Sequence, residues 1–152
     1  MTPFSTCHFQ PKEPNMTLPE TLAHPRFLPR LLRVDAIATG ATAVLLLAGA
    51  DLLAPVLNLP PELQRIAGLI CVPFVAWIAL LSRRVEVPRG AMAAVVAINF
   101  AWVAASLWVA FGGTWQPSAA GIAFVVAQAL AVLGFAEFGW MALRAARRPA
   151  FA

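Results

Sequence analysis

The sequence predicts an all-α integral membrane protein: an antiparallel bundle of four spanning helices, N-in and C-in. Three observations carry that prediction. Of 152 residues, 61% are hydrophobic and 12% charged, whereas a soluble domain has about 25% charged residues. The chain holds four apolar segments, each of about the 20 residues that cross about 30 Å of hydrocarbon. Nine of the ten arginines fall before the first segment, between the second and third, or after the fourth, all on one side of the expected bundle. A domain this small cannot hide so much apolar surface in one core, so lipid is the solvent for most of the chain. A mean hydropathy of +0.77 agrees. This composition excludes a soluble enzyme, a disulfide scaffold and a disordered protein.

Residues 1–33 differ from the rest. Six of the thirteen prolines lie here, at 3, 11, 14, 19, 25 and 29, and proline removes helix donors. The expectation is a flexible cytoplasmic tail with no secretory signal. Met16 offers a second start, which would make residues 1–15 an artefact of start-site choice. The stretch Arg26 to Arg33 mixes bulky apolar groups with arginine, which suits the headgroup layer.

The spans are expected at about 34–57, 63–82, 90–112 and 118–143, and residues 144–152 form a basic cytoplasmic tail. Backbone groups find no partners in lipid, so each span is helical. The connections are short and carry Pro60-Pro61, Pro88 and Gly112-Gly113, and links this short force neighbouring helices to run antiparallel. Arg26, Arg30 and Arg33 precede the first span, Arg83, Arg84 and Arg89 separate the second from the third, and Arg144, Arg147 and Arg148 follow the fourth. Arginine in short loops marks the cytoplasm, so both termini are expected there. Arg65, on the other side, stands three residues from Glu62 and is expected to pair with it. Asp51 is expected to end the first span in solvent.

Polar groups inside spans are costly and point to function. Asp35, Thr39, Thr42 and Gly49 share one face of the first helix, and Gly68, Cys71 and Ser82 one face of the second. Asn99 and Ser106 stand seven apart in the third, as do Gly121 and Gln128 in the fourth. Asn99 and Gln128 reach similar depth, where they either line a small polar cavity or hydrogen-bond between helices. Glu137 is the acid deepest in an apolar run. With Asp35 it forms either a carboxylate pair that binds protons or cations, or two anchors on nearby arginines such as Arg33 or Arg83. Trp77 and Trp102 are read as packing residues.

Chemistry has little support. His8 and His24 lie in the tail, Cys7 and Cys71 make no close pair, and no metal-ligand spacing or nucleophile motif occurs. The expectation is no enzyme, no cofactor, no metal and no nucleic-acid partner. The partners expected are the lipid bilayer and either a larger membrane protein or further copies of this chain. The leading functional reading is an accessory or helix-docking membrane component. The other is a small transporter or ligand-binding bundle using Asn99, Gln128 and the Asp35/Glu137 pair.

The segments Leu59-Pro60-Pro61-Glu62-Leu63, Arg65-Ile66-Ala67-Gly68, Asn99-Phe100-Ala101-Trp102 and Ala127-Gln128-Ala129 resemble those of uncharacterised four-helix bacterial inner-membrane proteins. That resemblance spans residues 30–148 and implies an inner-membrane location, with no activity attached. Small multidrug resistance transporters have the same helix number but carry a glutamate in mid first span, which this chain lacks. Abundant Ala, Arg and Pro with one Lys suggest a GC-rich bacterial genome.

Overall fold

Every described backbone segment long enough to matter solves its hydrogen bonding within itself, as helix. The computed structural model describes His24 and residues 26–145, and among these there is no strand. Five helices follow in order: α1 (Phe27–Ala48), α2 (Ala50–Leu57), α3 (Pro61–Leu81), α4 (Arg89–Phe111) and α5 (Ala119–Ala145). Four of them, all but α2, are long and apolar enough to cross a membrane. The expected tail segments 1–23, with Cys7 and His8, and 146–152, with Arg147 and Arg148, lie outside the described residues.

The helix ends at α3, α4 and α5 fall within two residues of the predicted spans. The first span differs at both ends. Helix α1 begins at Phe27, so residues 27–33 are its first two turns and not tail. Pro29 causes no break because the N–H it lacks would have had no partner in the first turn. At the other end the span is interrupted at Gly49. The Gly49 N–H closes the last turn of α1 on the Leu45 carbonyl, and its own carbonyl starts α2 by accepting from Leu52 and Leu53. Pro55, inside α2, removes a further donor, which keeps α2 short.

Helix α1 packs along α3, and α4 along α5, while α2 touches both α3 and α5. Small residues set the close approaches. A Cβ on Gly68 would come within 2.8 Å of Leu47 Cγ, and one on Gly139 within 2.5 Å of Met92 Cε. Two apolar clusters tie the pairs together. Leu32 and Ala36 of α1, Ile78 and Leu81 of α3, and Met92, Val95 and Val96 of α4 form one, at the arginine-bearing end. Leu57, Leu59, Ala110 and Val125 form the other, at the opposite end.

At the end opposite the arginines, the α2–α3 turn is locked onto the start of α5. Asn58 takes the left-handed conformation (φ 51°) after α2 and donates its Nδ2 to the Gln116 carbonyl at 2.6 Å. The Ser118 hydroxyl donates to the Val56 carbonyl at 2.7 Å and accepts from the Gly121 N–H at 3.0 Å. One side chain thus caps α5 and satisfies a carbonyl that α2 leaves free at its own end. Arg65 Nη2 donates to both Asp51 oxygens, at 2.7 and 2.6 Å, across the α2–α3 turn. Its expected partner Glu62 is not used.

Candidate functional site

Two groups of polar side chains occupy the interior. The first centres on Asp35, 1% exposed. Starting the helix at Phe27 carries Asp35 about 12 Å along α1, well in from the edge where the sequence reading placed it. Thr39 Oγ1 donates to Asp35 Oδ1 at 2.9 Å and Asn99 Nδ2 donates to Oδ2 at 3.2 Å. Both carboxyl oxygens are therefore engaged by neutral donors, one from its own helix and one from α4. The second group bridges α4 and α5. Trp102 Nε1 donates to Gln128 Oε1 at 3.1 Å, and Gln128 Nε2 donates to Ser106 Oγ at 2.8 Å. Ser106 Oγ donates in turn to the Trp102 carbonyl at 2.8 Å.

Asn99, Trp102 and Ser106 share one face of α4, so the two groups follow one another along the same groove. That groove opens into a crevice between the helix pairs. A chamber of about 160 Å³ is bounded by Thr39, Cys71, Asn99, Gln128 and Phe135. A second chamber of about 210 Å³ lies among Leu46, Leu59, Gln64, Ser106 and Val125. Thr42, Ile70, Trp102 and Gln128 border both chambers, which therefore lie side by side with predominantly apolar walls.

The structure brings together three of the four residues singled out from sequence. Asn99 and Gln128 both line the narrower chamber, although each bonds to a different partner and not to the other. Asp35 joins them through Asn99. Glu137 does not. Its side chain is exposed on α5, and among the described residues it forms no ion pair or hydrogen bond, so neither the carboxylate pair nor an arginine anchor is formed. Asp35 likewise takes no arginine: Arg33 is exposed and Asp35 faces inward. Trp102, read as packing only, is a hydrogen-bond donor within the site. Gln64 had been given no role. Its signal was present, since Gln64, Gly68 and Cys71 stand at i, i+4 and i+7 on the buried face of α3.

Among the described residues no three of His, Cys, Asp and Glu come together to hold a metal ion. The crevice offers amide and hydroxyl groups in an apolar enclosure, which is the makeup of a small-molecule binding site. The class these features define is an all-helical protein with four helices long and apolar enough to cross a membrane and a crevice between its helix pairs. Comparison with known proteins finds no matching family model and no match among curated proteins or solved structures.

Proposed function

We propose that this chain is a multi-pass protein of a bacterial inner membrane that holds a small apolar or amphipathic molecule between its two helix pairs. The observation that carries this reading is the pair of adjoining chambers that share Thr42, Ile70, Trp102 and Gln128 as a border. A bundle serving only to dock against a larger protein has no need of an interior space lined by ordered amides. The docking reading also lacks a surface of its own. Large apolar side chains are exposed on every helix, from Ile37 and Leu52 to Leu69, Phe111 and Leu130, as contact with lipid chains on all sides requires.

Both termini are assigned to the cytoplasm in this proposal. Arg26, Arg30, Arg33, Arg83 and Arg84 surround one hollow, and Arg89 reaches the Leu143 carbonyl at 3.4 Å. The arginines of three separate segments thus gather at one end, and that end is the one retained inside by the charge rule.

The test is extraction of the chain in lipid nanodiscs, followed by native mass measurement and identification of bound small molecules. The expected result is a monomer or homo-oligomer carrying a lipid-like molecule, lost when Thr42→Trp, on the border of both chambers, obstructs them. A stoichiometric larger protein with no small molecule bound would reject the proposal in favour of docking.

A further inference from the structure

Arg26, Arg30 and Arg33 stand at i, i+4 and i+7 at the start of α1, a spacing that stacks side chains along one side of a helix. Like charges so placed repel and weaken the helix that carries them. Arg83 and Arg84, from the loop after α3, border the same hollow as these three. All five residues are exposed, and among the described residues none of them is paired: the one ion pair is Arg65–Asp51, at the opposite end. The neighbouring acids do not compensate. Glu86 is exposed and does not border the hollow, and Asp35 is buried with its oxygens taken by Thr39 and Asn99. The charge rule asks only that arginines collect on one side of the membrane. It does not ask for five to converge on one hollow without a counter-charge.

We infer that this hollow holds the phosphate of a net-anionic phospholipid headgroup. The site is independent of the crevice ligand and requires only that the four long helices lie in a bilayer. A guanidinium fork offers parallel donors to phosphate oxygens, and basic pockets at the ends of spanning helices take anionic headgroups. Helix ends do not decide the sign of the ligand. Pro29 in the first turn of α1 and Ser82 at the end of α3 both line the hollow, so a positive and a negative helix end, each about half a charge, offset one another. The five arginine charges remain. A zwitterionic headgroup would set its own cation among them. A soluble organic phosphate shares the required chemistry, but Arg30 favours the lipid. It also borders an apolar groove between α1 and α5, with Phe27, Leu31, Val34 and Phe138, where a chain attached to the phosphate would lie against carbon.

The experiment uses the full chain in mild detergent at fixed ionic strength, titrated with dioleoyl phosphatidylglycerol, dioleoyl phosphatidylcholine or glycerophosphate. Bound ligand is counted by native mass spectrometry. Phosphatidylglycerol is expected to bind more tightly than either of the others. Arg30→Gln with Arg33→Gln should weaken it roughly 25-fold, at about five-fold for each basic side chain near a membrane surface. Arg89→Gln with Arg144→Gln removes the same charge outside the hollow and should leave binding nearly unchanged. Thr42→Trp, in the crevice, should also leave it unchanged, which separates this site from the crevice ligand. Glycerophosphate binding as tightly as phosphatidylglycerol would overturn the lipid assignment in favour of a soluble phosphate. Equal binding of the two lipids, or equal weakening by the two double variants, would overturn the site and leave the arginines as topology signals. Loss of the lipid with Thr42→Trp would move it to the crevice and overturn the assignment to the hollow. The comparison of headgroups is made on the unaltered chain, so it stands even if a variant does not fold.

Discussion

Asp35 and Asn99 form a link between α1 and α4 that neither helix can replace. Removing the amide leaves Asp35 Oδ2 without its donor in a place where Asp35 is 1% exposed. Two magnitudes compete here. Hydrogen bonds between membrane helices average about 0.6 kcal/mol, but stranding a buried acceptor costs about 1–3 kcal/mol. The second governs, because the carboxyl group is walled in by its own helix and cannot turn to another partner. Asn99→Leu is therefore expected to lower stability by about 1–3 kcal/mol, read as a shift in the unfolding midpoint in mild detergent. Glu137→Gln, on an exposed side chain, is expected to stay within about 0.5 kcal/mol of the parent. Equal effects from the two substitutions would show that the Asn99–Asp35 bond contributes nothing. The contrast was legible in the sequence. Glu137 is nine residues beyond Gln128, about two and a half turns at 3.6 residues per turn, which places it on the opposite side of α5. Depth in an apolar run suggested a site, while helical phase put Glu137 outside it.

The contact between α2 and α5 is the element-level feature that hydropathy does not reveal. Its parts are Ser118, which caps α5 and binds the Val56 carbonyl, and Gly121, where a Cβ would collide with the Leu57 carbonyl. Backbone cannot yield as a flexible side chain does, so Gly121→Ala must push α5 away from α2. The expected cost is about 1–3 kcal/mol, and Ser118→Ala should cost about 0.5–2 kcal/mol through the lost cap. Both are measurable as unfolding shifts. An unchanged midpoint for Gly121→Ala would mean that the two helices do not meet closely there. The long helices were readable from apolar length, and their inward faces from the spacing of Asn99, Ser106, Gly121 and Gln128. The division at Gly49 was not, because glycine is common inside membrane helices and only the hydrogen-bond pattern separates a tolerated glycine from a break. The start at Phe27 was obscured for a related reason: proline and arginine look like tail, yet Pro29 fits a first helical turn and arginine stems can lie along lipid with their heads in water.

At the scale of the whole molecule, two helix pairs are fastened at both ends and linked between them by the Asn99–Asp35 bond. Apolar clusters and the α2–α5 clamp close the ends, and the crevice occupies the interval between them. This division has a consequence for topology. The wider chamber, with Gln64, lies toward the end that carries Asp51 and Arg65, opposite the gathered arginines. If the arginine end faces the cytoplasm, the wider chamber lies toward the outer surface. Single cysteines at Glu86 and Thr114, both exposed loop residues, separate the two faces in a background with Cys7 and Cys71 changed to Ser. A membrane-impermeant maleimide added to intact spheroplasts should label Thr114→Cys and leave Glu86→Cys unlabelled until the membrane is opened. The reverse pattern would invert the orientation and place the wider chamber toward the cytoplasmic surface. Labelling of both without opening would put the two loops on one side and break the four-span arrangement itself. Cys71 is buried on α3, so its replacement is the change in the background to check first, by confirming that the cysteine-free chain melts like the parent.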